Sequence, residues 1–207
     1  ALRHPALLLL AVVAVFYNLG FFSLLAAGPF ALPDFGIMAI GWVFFGWGLL
    51  LAFTSVVVAP WLQRLVGTVP AMVGCLALFS VDLLAIAVLS DSQAFVVAGI
   101  VLAGAFIGIN NTLVTEAVMG AAPVPRPVAS AAYSFVRFSG GAAGPFVALK
   151  LAENVSVGAP FWFGGTAVAV GAVVALLGSR VVVRALRSAP APHSPAEADA
   201  ELVGDAA

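Results

Sequence analysis

Six long apolar runs, set apart by short polar or proline-rich breaks, make up nearly the whole chain, and they constrain its fold more than any motif does. The runs cover residues 5–30, 36–61, 69–89, 94–119, 128–150 and 160–183. Each is close to the ~20 residues that an α-helix needs to cross ~30 Å of hydrocarbon. None alternates apolar and polar residues at period two over a ~10-residue unit, which argues against an outer-membrane barrel.

Composition supports the same reading. The chain is 63% hydrophobic and 8% charged, with a mean hydropathy of +1.18, whereas soluble domains are roughly a quarter charged. Sixteen Phe and four Trp with so few charges would leave large apolar patches in water, a penalty that only a lipid bilayer removes. The expected fold is an all-α polytopic membrane protein. Residues 1–187 form its six-helix bundle, and residues 188–207, rich in Pro and Ala with four acids, form a disordered cytoplasmic tail. Basic residues are scattered singly, so no patch can track a phosphate backbone and nucleic acid is not a partner. The single Cys75 allows neither an internal disulfide nor a cysteine-based metal cluster, and its apolar surroundings make it a small buried hydrophobe. No metal or other cofactor is expected. The opening Ala-Leu-Arg-His-Pro has no initiator Met and no signal-peptide architecture, and reads as the start of a fragment.

Orientation follows from the loop charges, because Lys and Arg in short loops stay on the cytoplasmic side. Arg3, Arg64, Arg126, Arg180, Arg184 and Arg187 all fall at one side of the six runs. Asp34, Asp91, Glu153 and one basic residue, Lys150, fall at the other. Both termini are therefore expected to face the cytoplasm, in a multi-pass protein of the cell membrane.

The polar groups inside the runs form a belt. Arg137 lies about nine residues into the fifth run, ~14 Å deep at 1.5 Å per residue. Asn110 and Asn111 in the fourth run lie at a similar depth, and Tyr17 and Asn18 in the first slightly deeper. A guanidinium in lipid costs roughly 2.5–3.5 kcal/mol, so Arg137 should face the bundle interior or an aqueous cavity. Tyr133, Arg137, Gly140 or Gly141, and Gly144 share one helical stripe. The functional reading makes Tyr17, Asn18, Asn110, Asn111, Tyr133 and Arg137 a substrate-lining surface. The structural reading makes the amides and phenols interhelical hydrogen-bonding groups, worth ~0.6 kcal/mol each. Two intramembrane acids, Asp82 and Glu116, are candidates for coupling or gating, as are the loop residues Arg64 and Arg126, because a buried carboxyl can be held neutral or ionised by its surroundings. Gly140 and Gly144 have G-x-x-x-G spacing for close helix packing, and Pro145 removes a backbone donor and encourages a bend.

These residues carry a resemblance. The six spans, the connector Pro60-Trp61-Leu62-Gln63-Arg64-Leu65-Val66-Gly67 and the Pro125-Arg126-Pro127-Val128-Ala129-Ser130 segment opening the fifth span are similar to the C-terminal half of a major facilitator superfamily transporter, most nearly the drug:proton antiporter group. In that family the corresponding connector has a Gly-x-x-x-Asp-Arg-x-Gly-Arg type pattern, of which Arg64 and Gly67 stand here. Its antiporters also have a Gly-x-x-x-Gly-Pro motif, matched by Gly140 to Pro145, with Val147 and Ala148 in place of the following Gly pair. The resemblance implies two three-helix inverted repeats, half of a twelve-helix fold, rocking against a missing N-terminal six-helix half. It also implies that protons drive efflux of a small, hydrophobic or drug-like molecule, and that the protein is not an enzyme.

Rival classes fare worse. An intramembrane serine protease needs a histidine on a span, and His4 and His193 lie outside all six. No phosphate-binding loop for ATP is present. A six-span half-transporter or permease subunit acting with a partner chain is the remaining alternative. The connector from Gly120 to Pro127 is short for the coupling helix such a permease uses.

Overall fold

The computed structural model describes residues 4–121 and 126–188, and among these every regular element is helical. Helix α1 spans Pro5–Ala27 and ends in a tight turn, Gly28–Ala31. Helix α2 (Ile37–Phe53) continues through one widened turn, Thr54–Val58, into α3 (Ala59–Val66). Then come α4 (Thr68–Val88), α5 (Gln93–Ala121), α6 (Arg126–Asn154), α7 (Ala159–Leu177) and α8 (Ser179–Ser188).

Five stretches are long and apolar enough to cross a membrane: Pro5–Ala31, Ile37–Val66, Thr68–Val88, Gln93–Ala121 and Ala159–Leu177. Helix α6 is as long as α5, at 29 residues. Arg137 and a run of serines and glycines keep it out of that group. It packs instead as a long helix against α1 and α7.

Helix α1 is central, lying against α6 and α7 and touching α5; α5 lies against α2 and α4, and α4 packs on α7. The two ends of the bundle are identified by contacts between loops. At one end Gln93 Nε2 donates to Asp34 Oδ2, and Gly158 comes up against the Ala87 carbonyl. At the other end Gly178 meets Leu9, and Gly120 meets Leu186.

The helices follow from local chemistry. Pro60 has no N–H, and its ring would collide with the Val56 carbonyl in a regular α-helix. The chain adjusts one turn earlier, where the Ala59 N–H reaches back five residues to the Thr54 carbonyl. This widened turn is also where α2 is joined to α5. Thr54 Oγ1 lies 2.8 Å from the Leu50 carbonyl and 3.2 Å from that of Ala105, and Ser55 Oγ donates to the Gly108 carbonyl at 3.0 Å. The two backbones come this close because of Gly104 and Gly108. A Cβ on Gly104 would strike the Trp47 carbonyl, and one on Gly108 the Leu51 carbonyl and Thr54 Oγ1. The turn between α3 and α4 is made by Gly67 alone, at φ 88°, in the left-handed region that a side chain disfavours.

Two differences from the sequence reading stand out. The connector expected around Gln63 and Arg64 is helical almost to its end, with only Gly67 as the turn. The run read as continuous over 160–183 is divided at Gly178. Beyond it α8 turns Val182 into the core and exposes Arg180, Arg184 and Arg187. The expected tail lies, apart from Ser188, outside the described residues.

The outer surface is apolar. Val43 is the one buried residue of α2, while Trp42, Phe45, Leu49 and Phe53 are exposed. In water such a face would drive aggregation; in lipid it is solvated.

Two outcomes follow. Gly104→Leu should lower the apparent melting temperature of the detergent-solubilised protein by several degrees, from ~1–3 kcal/mol of overpacking. Gly41→Leu, where an added Cβ meets nothing within 4 Å, should leave it unchanged. Heating followed by size-exclusion chromatography reads both, and equal shifts would contradict the close α2–α5 contact. Cys75 is buried, with its thiol 3.2 Å from the Phe106 carbonyl. A maleimide should therefore label it in SDS and not in native membranes.

Candidate functional site

Polar side chains enter the bundle mainly through α1. Asn18 is fully buried, and its Nδ2 donates to the Ala14 carbonyl one turn back at 2.7 Å. That bond fixes the amide so that Oδ1 faces α6. There it accepts a hydrogen bond from Arg137 Nε at 3.3 Å. One turn further along both helices, Gly141 lies against the Phe22 ring, and Gly144 meets Phe22 Cβ and the Leu19 carbonyl. The register is parallel: Asn18 with Arg137, Phe22 with Gly141. A side chain at Gly141 would push α6 away and pull the guanidinium off its acceptor.

Tyr17, beside Asn18, points the other way. Its hydroxyl donates to the Ile107 carbonyl of α5 at 3.3 Å. Its ring meets Phe79 edge-on at 6.1 Å and stacks on Phe21 at 6.4 Å, and Phe21 in turn stacks on Trp47 of α2 at 6.1 Å. One turn of α1 thus connects α5, α2 and α6. Tyr133, buried one turn before Arg137 on α6, lies like Tyr17 close enough to feel the guanidinium charge. Arg137 itself is half-buried, with its Cζ 5.4 Å from the centre of the Phe138 ring.

The structure brings together Tyr17, Asn18, Tyr133 and Arg137. It does not join the asparagines of α5 to them by any hydrogen bond among the described residues. Asn110 is 1% exposed with neither amide atom partnered, and Asn111 Oδ1 is likewise buried and unpartnered. Such groups cost ~1–3 kcal/mol each when left unsatisfied. Asp82 is buried on α4 beside Gly99 of α5, and its Oδ2 has no partner. Glu116 and Arg64 are exposed. Arg126 opens α6, but its side chain, like the surroundings of Gly140, lies outside the described residues. Pro145 is half-buried, and α6 runs unbroken through it; its missing N–H leaves the Gly141 carbonyl without its helical donor.

Sequence reasoning missed the Phe22 contact and the Thr54–Ser55 link, and it left Gly140 and Gly141 as alternatives, of which Gly141 is the glycine at the contact. Gly104-x-x-x-Gly108 has the same spacing as Gly140-x-x-x-Gly144 and was equally visible. The Phe22 contact had no sequence signal, because nothing distinguishes it from the neighbouring aromatics.

The comparisons agree with this architecture. The Major Facilitator Superfamily profile matches residues 9–204. The multidrug efflux protein YfmO of Bacillus subtilis (strain 168) is 47% identical over 180 residues, which is 87% of this chain and 45% of that protein. The chain therefore spans a little under half the length of the curated relative it matches. No solved structure matches it. A profile match across almost the whole chain, on a bundle of long apolar helices, places this protein in the major facilitator superfamily.

Proposed function

We propose that this chain is a six-helix half of a secondary carrier that exports small hydrophobic molecules by alternating access, driven by protons. The observation that carries the reading is the 47% identity, over 87% of the chain, to a protein named for multidrug efflux. As a facilitator-family chain it belongs to transport, not enzymology.

The helix packing supports the inverted-repeat part of the proposal. Exchanging α1, α2 and α4 with α5, α6 and α7 turns the α1–α6 interface into α5–α2 and α1–α7 into α5–α4, and leaves α4–α7 and α1–α5 unchanged. The smaller α6–α7 contact would map onto α2–α4, where it is the short α3 that reaches α4. In this reading α6 is the fifth span and completes the six, its Arg137 tolerated because α1 supplies a buried acceptor. The end that carries Arg64, Arg126, Arg180, Arg184 and Arg187 is cytoplasmic, and so are both termini. The substrate surface is formed by Tyr17, Asn18, Tyr133 and Arg137, with Asn110 and Asn111 supplying further hydrogen bonds.

Asp82 is the better candidate for proton coupling. It is buried, with a free carboxylate oxygen, whereas Glu116 is exposed to solvent or headgroups. Arg64 and Arg126 act in gating at the cytoplasmic end, and Gly140, Gly144 and Pro145 serve the packing and bending of α6.

In the full-length carrier, Arg137→Ala should abolish export of a fluorescent drug from cells while leaving membrane insertion intact. Asn18→Leu, which removes the acceptor, should lower export about tenfold, the equivalent of ~1.5 kcal/mol for a hydrogen bond to a charged group. Wild-type export from both variants would remove this pair from the mechanism.

A further inference from the structure

Arg137 brings a full positive charge into the bundle, and every described group around it is neutral. Its described contacts are an amide oxygen, Asn18 Oδ1, the phenol of Tyr133 and the ring of Phe138, with the phenol of Tyr17 nearby. No carboxylate among the described residues pairs with it. Helices α1 and α7, which pack on α6, contain no Asp, Glu, His, Lys or Arg, the phenol of Tyr17 being the one titratable group of the two. The one acid of α5, Glu116, is exposed, and Asp82 lies on α4 beside Gly99. Elsewhere on α6 the acid is Glu153, which is already engaged by Lys150 at 3.1 Å.

A guanidinium offers five N–H donors in a planar fork that matches the two oxygens of a carboxylate. Nε is engaged with Asn18, and that amide cannot serve a competing cation well, because its own oxygen is already facing Arg137. The apolar side is supplied next door. Phe135 is 74% exposed and Phe138 56% exposed, on the part of α6 turned away from α1. A charge within a membrane bundle is normally held by a counter-charge or an aqueous cavity.

We propose that Arg137 anchors an oxyanion site, and that the group it takes is the carboxylate of an acidic amphiphile whose apolar body lies along Phe135 and Phe138. The site therefore selects for acids over lipophilic cations. The same carboxylate chemistry has a second source, an Asp or Glu elsewhere in the full-length carrier. The inference rests on reading α6 as a span of a carrier, but its first test is binding and needs no transport.

The full-length protein, purified in detergent, is titrated with 4-phenylbutyrate, 4-phenylbutyramide and 4-phenylbutylamine, which share an apolar body and differ in charge. Tryptophan fluorescence reads the binding. The carboxylate should bind at least tenfold more tightly than the amide or the amine; Arg137→Gln should remove that preference, and Arg137→Lys should keep part of it. This outcome assigns the oxyanion to the substrate. If wild type shows no preference, export-restoring revertants of Arg137→Gln distinguish the remaining cases. A revertant that neutralises an Asp or Glu elsewhere in the carrier assigns the oxyanion to the protein itself. No charge preference together with no acid-neutralising revertant overturns the proposal. A carboxylate preference in a protein that exports nothing would leave the site standing and remove the transport reading.

Discussion

The close approach of α6 to α1 is the contact on which the polar interior depends. Arg137 Nε meets a buried amide oxygen at 3.3 Å where the two helices come into close backbone contact. The glycines at 141 and 144 make that possible by receiving the Phe22 side chain where side chains of their own would stand. Asn18 contributes because its Nδ2 is already tied to Ala14, so its oxygen has one direction left. The charge, the amide and the glycines form one device spread over two helices. Removing any part exposes the others to an apolar environment in which an unpaired polar group is expensive.

The α2–α5 interface reaches the same closeness by other means. There the glycines lie on α5, at 104 and 108, and the polar link is made by the hydroxyls of Thr54 and Ser55 to carbonyls of α5. Under the proposed exchange of three-helix units, α5 is the counterpart of α1 and α2 that of α6. The small residues therefore stand on opposite partners in the two equivalent interfaces. On that proposal, close packing is common to both interfaces while the residues that provide it stand on different partners. This is what backbone contact requires and what sequence identity between the units does not.

The gross fold was legible because lipid leaves a chain few options: every backbone N–H and C=O must be paired within a segment, so long apolar runs become helices. Depth was legible too, since it follows from counting residues along a helix. Azimuth was harder. The stripe holding Tyr133, Arg137 and Gly144 was readable, yet nothing in the sequence said that Asn18 would receive Arg137 while Asn110 would not. Partner choice depends on how neighbouring helices are rotated, and α1 and α5 are apolar nearly all round, so periodicity gives no phase. The widened turn at Thr54 was implicit in Pro60, six residues on. The break at Gly178 was hidden because Val181 to Val183 continue the apolar run even though α8 has become a basic amphipathic helix.

The two interfaces differ in how their hydrogen-bond donors are used. Between α2 and α5 the hydrogen bonds run from neutral hydroxyls to carbonyls, and the donors are used within the protein. Between α1 and α6 the donor is a cation meeting a neutral acceptor, and a guanidinium has more donors than a single amide oxygen can take. The first interface spends its hydroxyls within the protein and holds two helices together, although the buried Trp47 Nε1 beside Gly104 has no partner. The second retains unspent hydrogen-bonding capacity and a charge that no described carboxylate pairs, on a helix whose outer face is exposed at Phe135, Phe138 and Phe146. Under the proposed transport reading, the closed interface is suited to hold its helices together, and the one with charge to spare is suited to meet a ligand.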